Sequence, residues 1–186
     1  MAAANELTDG VVTLRPMTPT DAELHLAGED EPTARFLSGG RSTMETVLAW
    51  IERNRVSRET SGPVRSFGIC LAATGALIGM VEANMAAPGF RPGVANISYG
   101  LYPEARGNGY ATRAVDLITR YLVGQTGTDV AAIQVHPENL ASARVPGRLG
   151  FRFLGERVTS ESERMMTYAK SLRRPDKLRL SDVCQP

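Results

Sequence analysis

YGLYPEARGNGYAT, residues 99–112, is the stretch that indicates how this chain folds. An apolar strand pattern over Val94–Leu101 ends at a Tyr-Pro step, and an amphipathic helix pattern begins at Gly109. Gly107 and Gly109 keep side chains away from the backbone N–H groups of the turn, and the helix start adds unpaired N–H groups and the positive end of its dipole. This order predicts a cradle for an anion such as a diphosphate, with positive charge added by Arg106.

Other protein classes also place glycine turns before helices, notably dinucleotide-binding and P-loop proteins. Neither class fits here, because no Gly-Lys-Ser/Thr follows the turn and the three-glycine dinucleotide pattern is incomplete and starts too late in the chain. Taken alone, the turn is also compatible with a left-handed bend that merely requires glycine. A second motif is therefore needed to decide its chemistry.

The order of elements along the chain indicates a mixed α/β domain with one central sheet. Hydrophobic periodicity predicts β-α-α-β-β-β-α-β-α-β-β, beginning with a strand over Val11–Met17. Gly28–Gly40, rich in acidic residues, glycine and proline, is predicted to be irregular. The S/T-x-x-E spacing of Ser42–Glu45 predicts a capping box and a helix that runs to about Arg58.

Composition is typical of a soluble globular domain. The chain has 186 residues with Lys+Arg 21 and Asp+Glu 20, a formal net charge of +1, so no global field attracts nucleic acid or an anionic membrane. Neither a signal-peptide pattern nor an apolar run of the roughly 20 residues that a membrane span requires is found. We expect a cytoplasmic protein, in which Cys184 is an exposed thiol and the basic residues from Arg173 onward form a solvated tail.

Two ordered motifs give the chain a family resemblance. Arg106-Gly-Asn-Gly-Tyr-Ala111 matches the pyrophosphate motif Arg/Gln-x-x-Gly-x-Gly/Ala of the GNAT N-acetyltransferases, and Asn139-Leu-Ala-Ser142 followed by Leu149-Gly-Phe151 matches a second pattern of that superfamily. The chain most resembles the branch of the ribosomal-protein N-terminal acetyltransferases. The resemblance implies a single domain over residues 11–170, with an extension at 1–10 and a tail at 171–186. It implies a mixed, mostly antiparallel sheet with a splayed strand pair, flanked by helices.

The resemblance also implies acetyl-CoA as co-substrate and no metal. The strand Tyr99-Gly100-Leu101 would offer backbone groups to the pantetheine arm, acting as a strand edge that the cofactor pairs with. Asn139 would reach the pantetheine amide, an assignment compatible with its reading as a helix N-cap, and Ser142 would lie beside the thioester. The pyrophosphate would be held by the turn and the helix start, namely Arg106, Gly107, Asn108, Gly109, Tyr110, Ala111 and Thr112.

Acetyl transfer needs a group that removes a proton from the amine, one that polarises the carbonyl and one that protonates sulfur. Many relatives place a tyrosine acid where this chain has Pro146, so Ser142 is the best substitute, although it could be only a helix-surface hydroxyl. Glu82 lies inside an apolar run, and burial should raise the pKa of its carboxyl, which suits a base; a solvent-facing strand residue is the alternative. His136 is a second candidate base or a loop residue.

The acceptor is expected to be a primary amine, either a peptide N-terminus or a small molecule. An acidic rim could attract it, although the same carboxylates also suit ordinary solvated loops; its members would be Glu29, Asp30, Glu31, Glu161 and Glu163. Two other readings stay open. An acetyl-CoA-binding sensor without catalysis is one, because the tyrosine of many relatives is absent at Pro146. An acyltransferase for longer chains is the other, because Gly100 would leave room at the thioester. A homodimer is compatible with the resemblance, and the sequence does not decide it.

Overall fold

The computed structural model describes residues 6–159, 162–173 and 178–185. One sheet of eight strands and six α-helices make up these residues, together with 3-10 turns at Pro19–Asp21 and Pro103–Ala105 and a π-helical turn at Ala34–Ser38. The strands are β1 (Leu7–Thr8), β2 (Val12–Arg15), β3 (Val64–Leu71), β4 (Leu77–Asn84), β5 (Val94–Leu101), β6 (Val130–Val135), β7 (Arg152–Val158) and β8 (Arg164–Ser171). The helices are α1 (Ala22–Ala27), α2 (Glu31–Thr33), α3 (Met44–Glu59), α4 (Tyr110–Gln125), α5 (Leu140–Arg148) and α6 (Leu180–Val183).

The strand order in the sheet is β1-β2-β3-β4-β5-β6-β8-β7. The pairs β1–β2, β2–β3, β6–β8 and β7–β8 are antiparallel, whereas β5 and β6 are parallel. This arrangement confirms the predicted mixed, mostly antiparallel sheet. The parallel register runs only from Val94↔Val130 to Asn96↔Ala132, so its ladder ends before β5 does.

The chain divides into two compact units. The first consists of Met1–Glu82 and Tyr99–Ile118, and the second of Ala83–Ser98 and Thr119–Pro186. The boundaries fall inside β4 and β5, so that each unit is assembled from segments distant in sequence.

In the first unit, α1 and α3 pack their apolar faces together. Ala22, Val47 and Ile51 are buried at the centre of this cluster, with Trp50 and Met17 at its margin. The turn before α1 is fixed by an ion pair in which both Nη atoms of Arg15 donate to the two carboxylate oxygens of Asp21, at 2.8 and 2.7 Å.

The segment Gly28–Gly40 is not irregular, so that prediction was wrong. It forms α2 and the π-helical turn because the Asp30 carboxylate accepts the N–H of Thr33 and caps α2, where Pro32 suits the first turn. The capping box was also misplaced by one residue: Thr43 is the N-cap of α3 and exchanges hydrogen bonds with Thr46. Ser42 instead donates its backbone N–H and its hydroxyl to the Glu29 carboxylate, at 2.8 and 2.6 Å.

The core of the second unit includes the C-terminal segment of the described chain. Val183 and Cys184 are buried there against Phe90 and Val94. A β-bridge pairs Phe90 with Cys184, and the Arg91 N–H donates to the Val183 carbonyl oxygen at 3.0 Å. The predicted exposure of Cys184 was wrong. Val183 and Cys184 are both apolar, and they are buried in this core.

One further observation concerns the N-terminal end of the sheet, and another concerns the length of the helices. Leu7 and Thr8 pair with Leu14 and Thr13 of β2, so residues before the predicted first strand join the sheet. Among the described residues, none of the helices combines the length and the apolar character that a membrane span requires.

We expect Val183→Ala to lower the free energy of unfolding by about 2 kcal/mol, because it leaves a cavity at a fully buried position in the core of the second unit. Val123→Ala is the matched control, since that valine is 50% exposed on α4 and its truncation should cost less than about 0.5 kcal/mol. Urea unfolding of both variants measures the difference. Equal effects would mean that the C-terminal segment contributes no core.

Candidate active site

The glycine turn before α4 is exposed to solvent, and its backbone conformation is one that glycine adopts more readily than other residues. Gly107 and Gly109 have φ angles of 81° and 78°, where a side chain is unfavourable. A Cβ added at either position would meet no atom within 4 Å, so free space lies over the turn. The Asn108 side chain folds back and donates to the carbonyl oxygens of Ala105 and Arg106, at 3.3 and 3.0 Å.

The helix that follows offers unpaired donors to this space. The first hydrogen bond of α4 runs from the Arg113 N–H to the Gly109 carbonyl oxygen at 3.2 Å. The N–H groups of Tyr110, Ala111 and Thr112 therefore have no acceptor inside the helix. The Thr112 hydroxyl is buried in the same turn without a hydrogen-bond partner in the described part of the chain. A ligand with several anionic oxygens would satisfy donors of this kind.

Arg106 does not point freely toward the turn. Its Nη1 and Nη2 atoms donate to the two carboxylate oxygens of Asp30 at 2.6 and 2.8 Å, and its Nε donates to the Leu101 carbonyl oxygen at 3.0 Å. The hydrogen bonds from Arg106 hold the pKa of Asp30 well below its usual range. Arg106 thus ties the end of β5 to the start of α2. Its predicted role beside a diphosphate stays a prediction, and its charge is already compensated.

Glu82 is half-buried near the end of β4 and faces Trp50 of α3. The Trp50 indole N–H donates to Glu82 Oε2 at 3.3 Å. Burial raises the pKa of Glu82, and the hydrogen bond from Trp50 only partly opposes this effect. The raised pKa predicted for this carboxyl is confirmed; its use as a base is a separate question.

An aromatic cluster adjoins Glu82 through Trp50, and the sequence patterns did not identify it. The His25 ring stacks on Trp50 with centroids 5.4 Å apart and an interplanar angle of 8°. His25 Nδ1 lies 2.9 Å from the Tyr102 hydroxyl. The Tyr102 ring covers the Gly28 backbone so closely that a Cβ on Gly28 would lie 2.4 Å from it. Burial lowers the pKa of His25 and raises the pKa of Tyr102, so both side chains are neutral at pH 7.

The second unit contains the other predicted residues. Asn139 is the N-cap of α5, because its Oδ1 accepts the Ser142 N–H at 3.1 Å. Asn139 and Ser142 are therefore brought together. His136 Nδ1 accepts the Glu138 N–H at 3.2 Å. Pro146, which stands where many relatives have a tyrosine, is buried inside α5.

The acidic rim is not a set of free carboxylates. Asp30 is paired with Arg106, and both oxygens of Glu29 accept hydrogen bonds from Ser42. Glu31 and Glu163 are exposed, whereas Glu161 lies outside the described residues. Within the ranges that the structure describes, no group of three or more histidine, cysteine or acidic side chains is arranged to hold a metal ion.

The comparisons with known proteins agree with this geometry. The family model described as an acetyltransferase (GNAT) domain matches residues 12–152. A search of curated protein sequences found no match.

Several solved structures are similar over nearly the whole chain. Ribosomal-protein-S5-alanine acetyltransferase from Vibrio fischeri is 18% identical with a TM-score of 0.76, over 93% of this chain and 100% of that chain. RimL, a ribosomal L7/L12 alpha-N-protein acetyltransferase in complex with coenzyme A, is 16% identical with a TM-score of 0.76, over 90% and 98%. An aminoglycoside acetyltransferase in complex with coenzyme A is 22% identical with a TM-score of 0.71, over 86% and 94%. At these identities the likeness establishes the fold.

We expect Asp30→Asn to lower the free energy of unfolding by less than about 1 kcal/mol at pH 7, because the ion pair with Arg106 is partly exposed and screened by solvent. Asparagine can still cap α2, so the substitution isolates the charge. Since the folded-state pKa of Asp30 is depressed, the difference from wild type should be full above pH 3.8, the ordinary pKa of the carboxyl, and should decline progressively as the pH falls from there toward the lower folded-state pKa.

Urea unfolding of both proteins across this pH range measures the effect. A difference that does not change with pH would contradict it.

Proposed function

This chain belongs to the GNAT acetyltransferase family, and we propose that it transfers the acetyl group of acetyl-CoA to a primary amine by direct attack of the amine on the thioester. The observation that carries the proposal is the open turn at Gly107 and Gly109, which leads into α4 with its first N–H groups unpaired. Such a turn fits the diphosphate of coenzyme A, because several backbone donors and a helix dipole converge on one space.

The remaining cofactor contacts follow the same logic. The backbone of Tyr99–Leu101 would pair with the pantetheine arm, which the early end of the β5–β6 ladder at Asn96 supports. Asn139 and Ser142 would contact the arm near the thioester. Arg106 would act by fixing the turn to α2 through Asp30, rather than by binding a phosphate oxygen.

The chemistry divides among groups of this chain. Glu82, whose pKa burial raises, takes a proton from the ammonium form of the acceptor through water, and the free amine then attacks the carbonyl carbon. A backbone N–H of the Tyr99–Leu101 strand stabilises the negative charge that develops on the carbonyl oxygen. The carbon–sulfur bond breaks as Ser142 donates its hydroxyl proton to sulfur, and the Ser142 oxygen regains a proton from the nitrogen of the tetrahedral intermediate, which leaves the neutral amide and the free thiol. Ser142→Ala should therefore lower kcat more than it raises KM. His136 is the alternative base.

The acyl group is proposed to be acetyl rather than a longer chain. An ideal Cβ on Gly100 would lie 2.8 Å from Leu37 Cδ2, so Leu37 already occupies the space that this glycine leaves. The acceptor is either a peptide N-terminus or a small-molecule amine; RimL and the aminoglycoside enzyme, which share the fold, represent these two classes.

The proposal is tested by measuring free thiol released from acetyl-CoA in the presence of peptides, polyamines and aminoglycosides. Amine-dependent release would support it and name the acceptor class.

Gly109→Val should raise the KM for acetyl-CoA at least about tenfold, because the side chain enters the space proposed for the diphosphate. Gly75→Val is the matched control, with a φ of 73° and equally open surroundings in the β3–β4 turn, and it should leave KM unchanged.

Tight binding of acetyl-CoA without acetylation of any amine would instead favour a sensor. The buried Pro146 keeps that candidate open.

Glu82→Gln should lower kcat/KM by about 100-fold and remove the acidic limb of its pH profile, as expected for loss of a general base. In the wild type this limb should lie above pH 4.5, the ordinary pKa of the carboxyl, because the folded-state pKa is raised. Trp50→Phe removes a hydrogen bond that lowers the pKa, so it should move the limb to higher pH. An unchanged profile in Glu82→Gln would transfer the role to another group.

A further inference from the structure

We propose that the second unit carries a binding site for a small oxyanion, the carboxylate or phosphate group of a ligand with an apolar body. The site is a groove of about 420 Å³ at the C-terminal segment, within the size range of small-molecule sites. Two arginines and four residues of the C-terminal segment line this arginine groove: Arg91, Arg157, Leu180, Ser181, Cys184 and Gln185.

Both guanidinium groups are anchored by backbone carbonyls. Arg91 donates its Nε hydrogen to the Ser181 carbonyl oxygen at 2.6 Å, and Arg157 donates from Nη1 to the Gly89 carbonyl oxygen at 2.7 Å. Gly89 has a φ of 77°, and a Cβ there would lie 2.7 Å from Arg157 Nη2, so glycine permits this close approach. Each arginine is held by one donor while its other donors stay available to a ligand.

Neither arginine has an acidic partner among the described residues. Other arginines of the chain do form ion pairs with carboxylates: Arg15, Arg55, Arg106, Arg113, Arg164 and Arg173. In the arginine groove, two guanidinium groups therefore line one concave space without a salt bridge to any described residue. A bound anion would accept charge-assisted hydrogen bonds from them.

The lining defines the ligand class. A guanidinium presents a planar fork of donors that matches the oxygens of a carboxylate or a phosphate. Leu180 and the buried Cys184 add an apolar wall, which suits a ligand whose charged group is attached to a hydrocarbon or aromatic body. None of the residues proposed for acetyl transfer lines the groove, so the two sites can be tested separately.

The test uses the full-length protein with three probes at constant ionic strength: inorganic phosphate, acetate and benzoate. The arginine side-chain Nε–Hε signals in NMR spectra report binding at Arg157 itself, which separates the groove from the diphosphate cradle. We expect saturable shifts at millimolar concentrations. Benzoate binding more tightly than acetate identifies a carboxylate with an apolar body, whereas phosphate binding most tightly identifies a phosphate ester. No shift of the Arg157 signal with any probe overturns the proposal.

Variants locate the binding energy. Arg157→Gln and Arg91→Gln should each weaken binding about tenfold, as expected for loss of charge-assisted hydrogen bonds. In Arg157→Gln, which has no Arg157 signal, the backbone amide shift of Gln185 reports binding instead. Arg152→Gln, an exposed arginine of the same strand outside the groove, is the matched control and should bind as wild type. Should Arg91→Gln destabilise the fold, Arg157→Lys tests the fork geometry with the charge retained, and it should also weaken binding.

Each variant should keep its KM for acetyl-CoA. Equal binding by Arg157→Gln and wild type would overturn the proposal and leave acetyl transfer untouched.

Discussion

Three backbone N–H groups at the start of α4 have no acceptor within the helix, and the candidate site is organised around this constraint. An N–H group at a helix start needs an acceptor from outside the helix, either water or a ligand, so the segment before it must leave room for one. Gly107 and Gly109 provide that room by adopting conformations that place no side chain over the turn. The ion pair of Arg106 and Asp30 then holds the turn against α2. The anion binding that we propose for the first unit would therefore depend on backbone groups, which side chains only hold in position.

The features that sequence patterns predicted correctly are those that depend on interactions between residues close together in the chain. Alternation of apolar residues and turn-forming glycines located the strands and α4, because each depends on residues adjacent in the chain. The raised pKa of Glu82 could also be predicted, since a carboxyl within an apolar run is desolvated wherever that run packs. The N-cap reading of Asn139 followed in the same way from its place before a helix.

The parts that were missed depend on contacts between distant residues. Arg106 and Asp30 are 76 positions apart, and His25 and Tyr102 are 77 apart, so no local pattern pairs them. The local spacing predicts Ser42 as a helix cap, yet its hydroxyl donates to the Glu29 carboxylate, 13 positions away. A local motif states what a side chain can do, and the rest of the fold determines which partner it meets.

The β-bridge between Phe90 and Cys184 has a consequence for the order in which the chain folds. Arg91 and Ser181, which are joined beside this bridge, are 90 positions apart. Between them lie β5 and α4, which the second unit shares, and β6, α5, β7 and β8, which it contains. During synthesis at about 5–20 residues per second, the apolar side of Phe90 waits several seconds before Val183 and Cys184 emerge to cover it. In that interval the half-made sheet exposes a surface that a chaperone or a neighbouring nascent chain can bind. The helical turn Leu180–Val183 thus closes a core that was begun half a chain earlier.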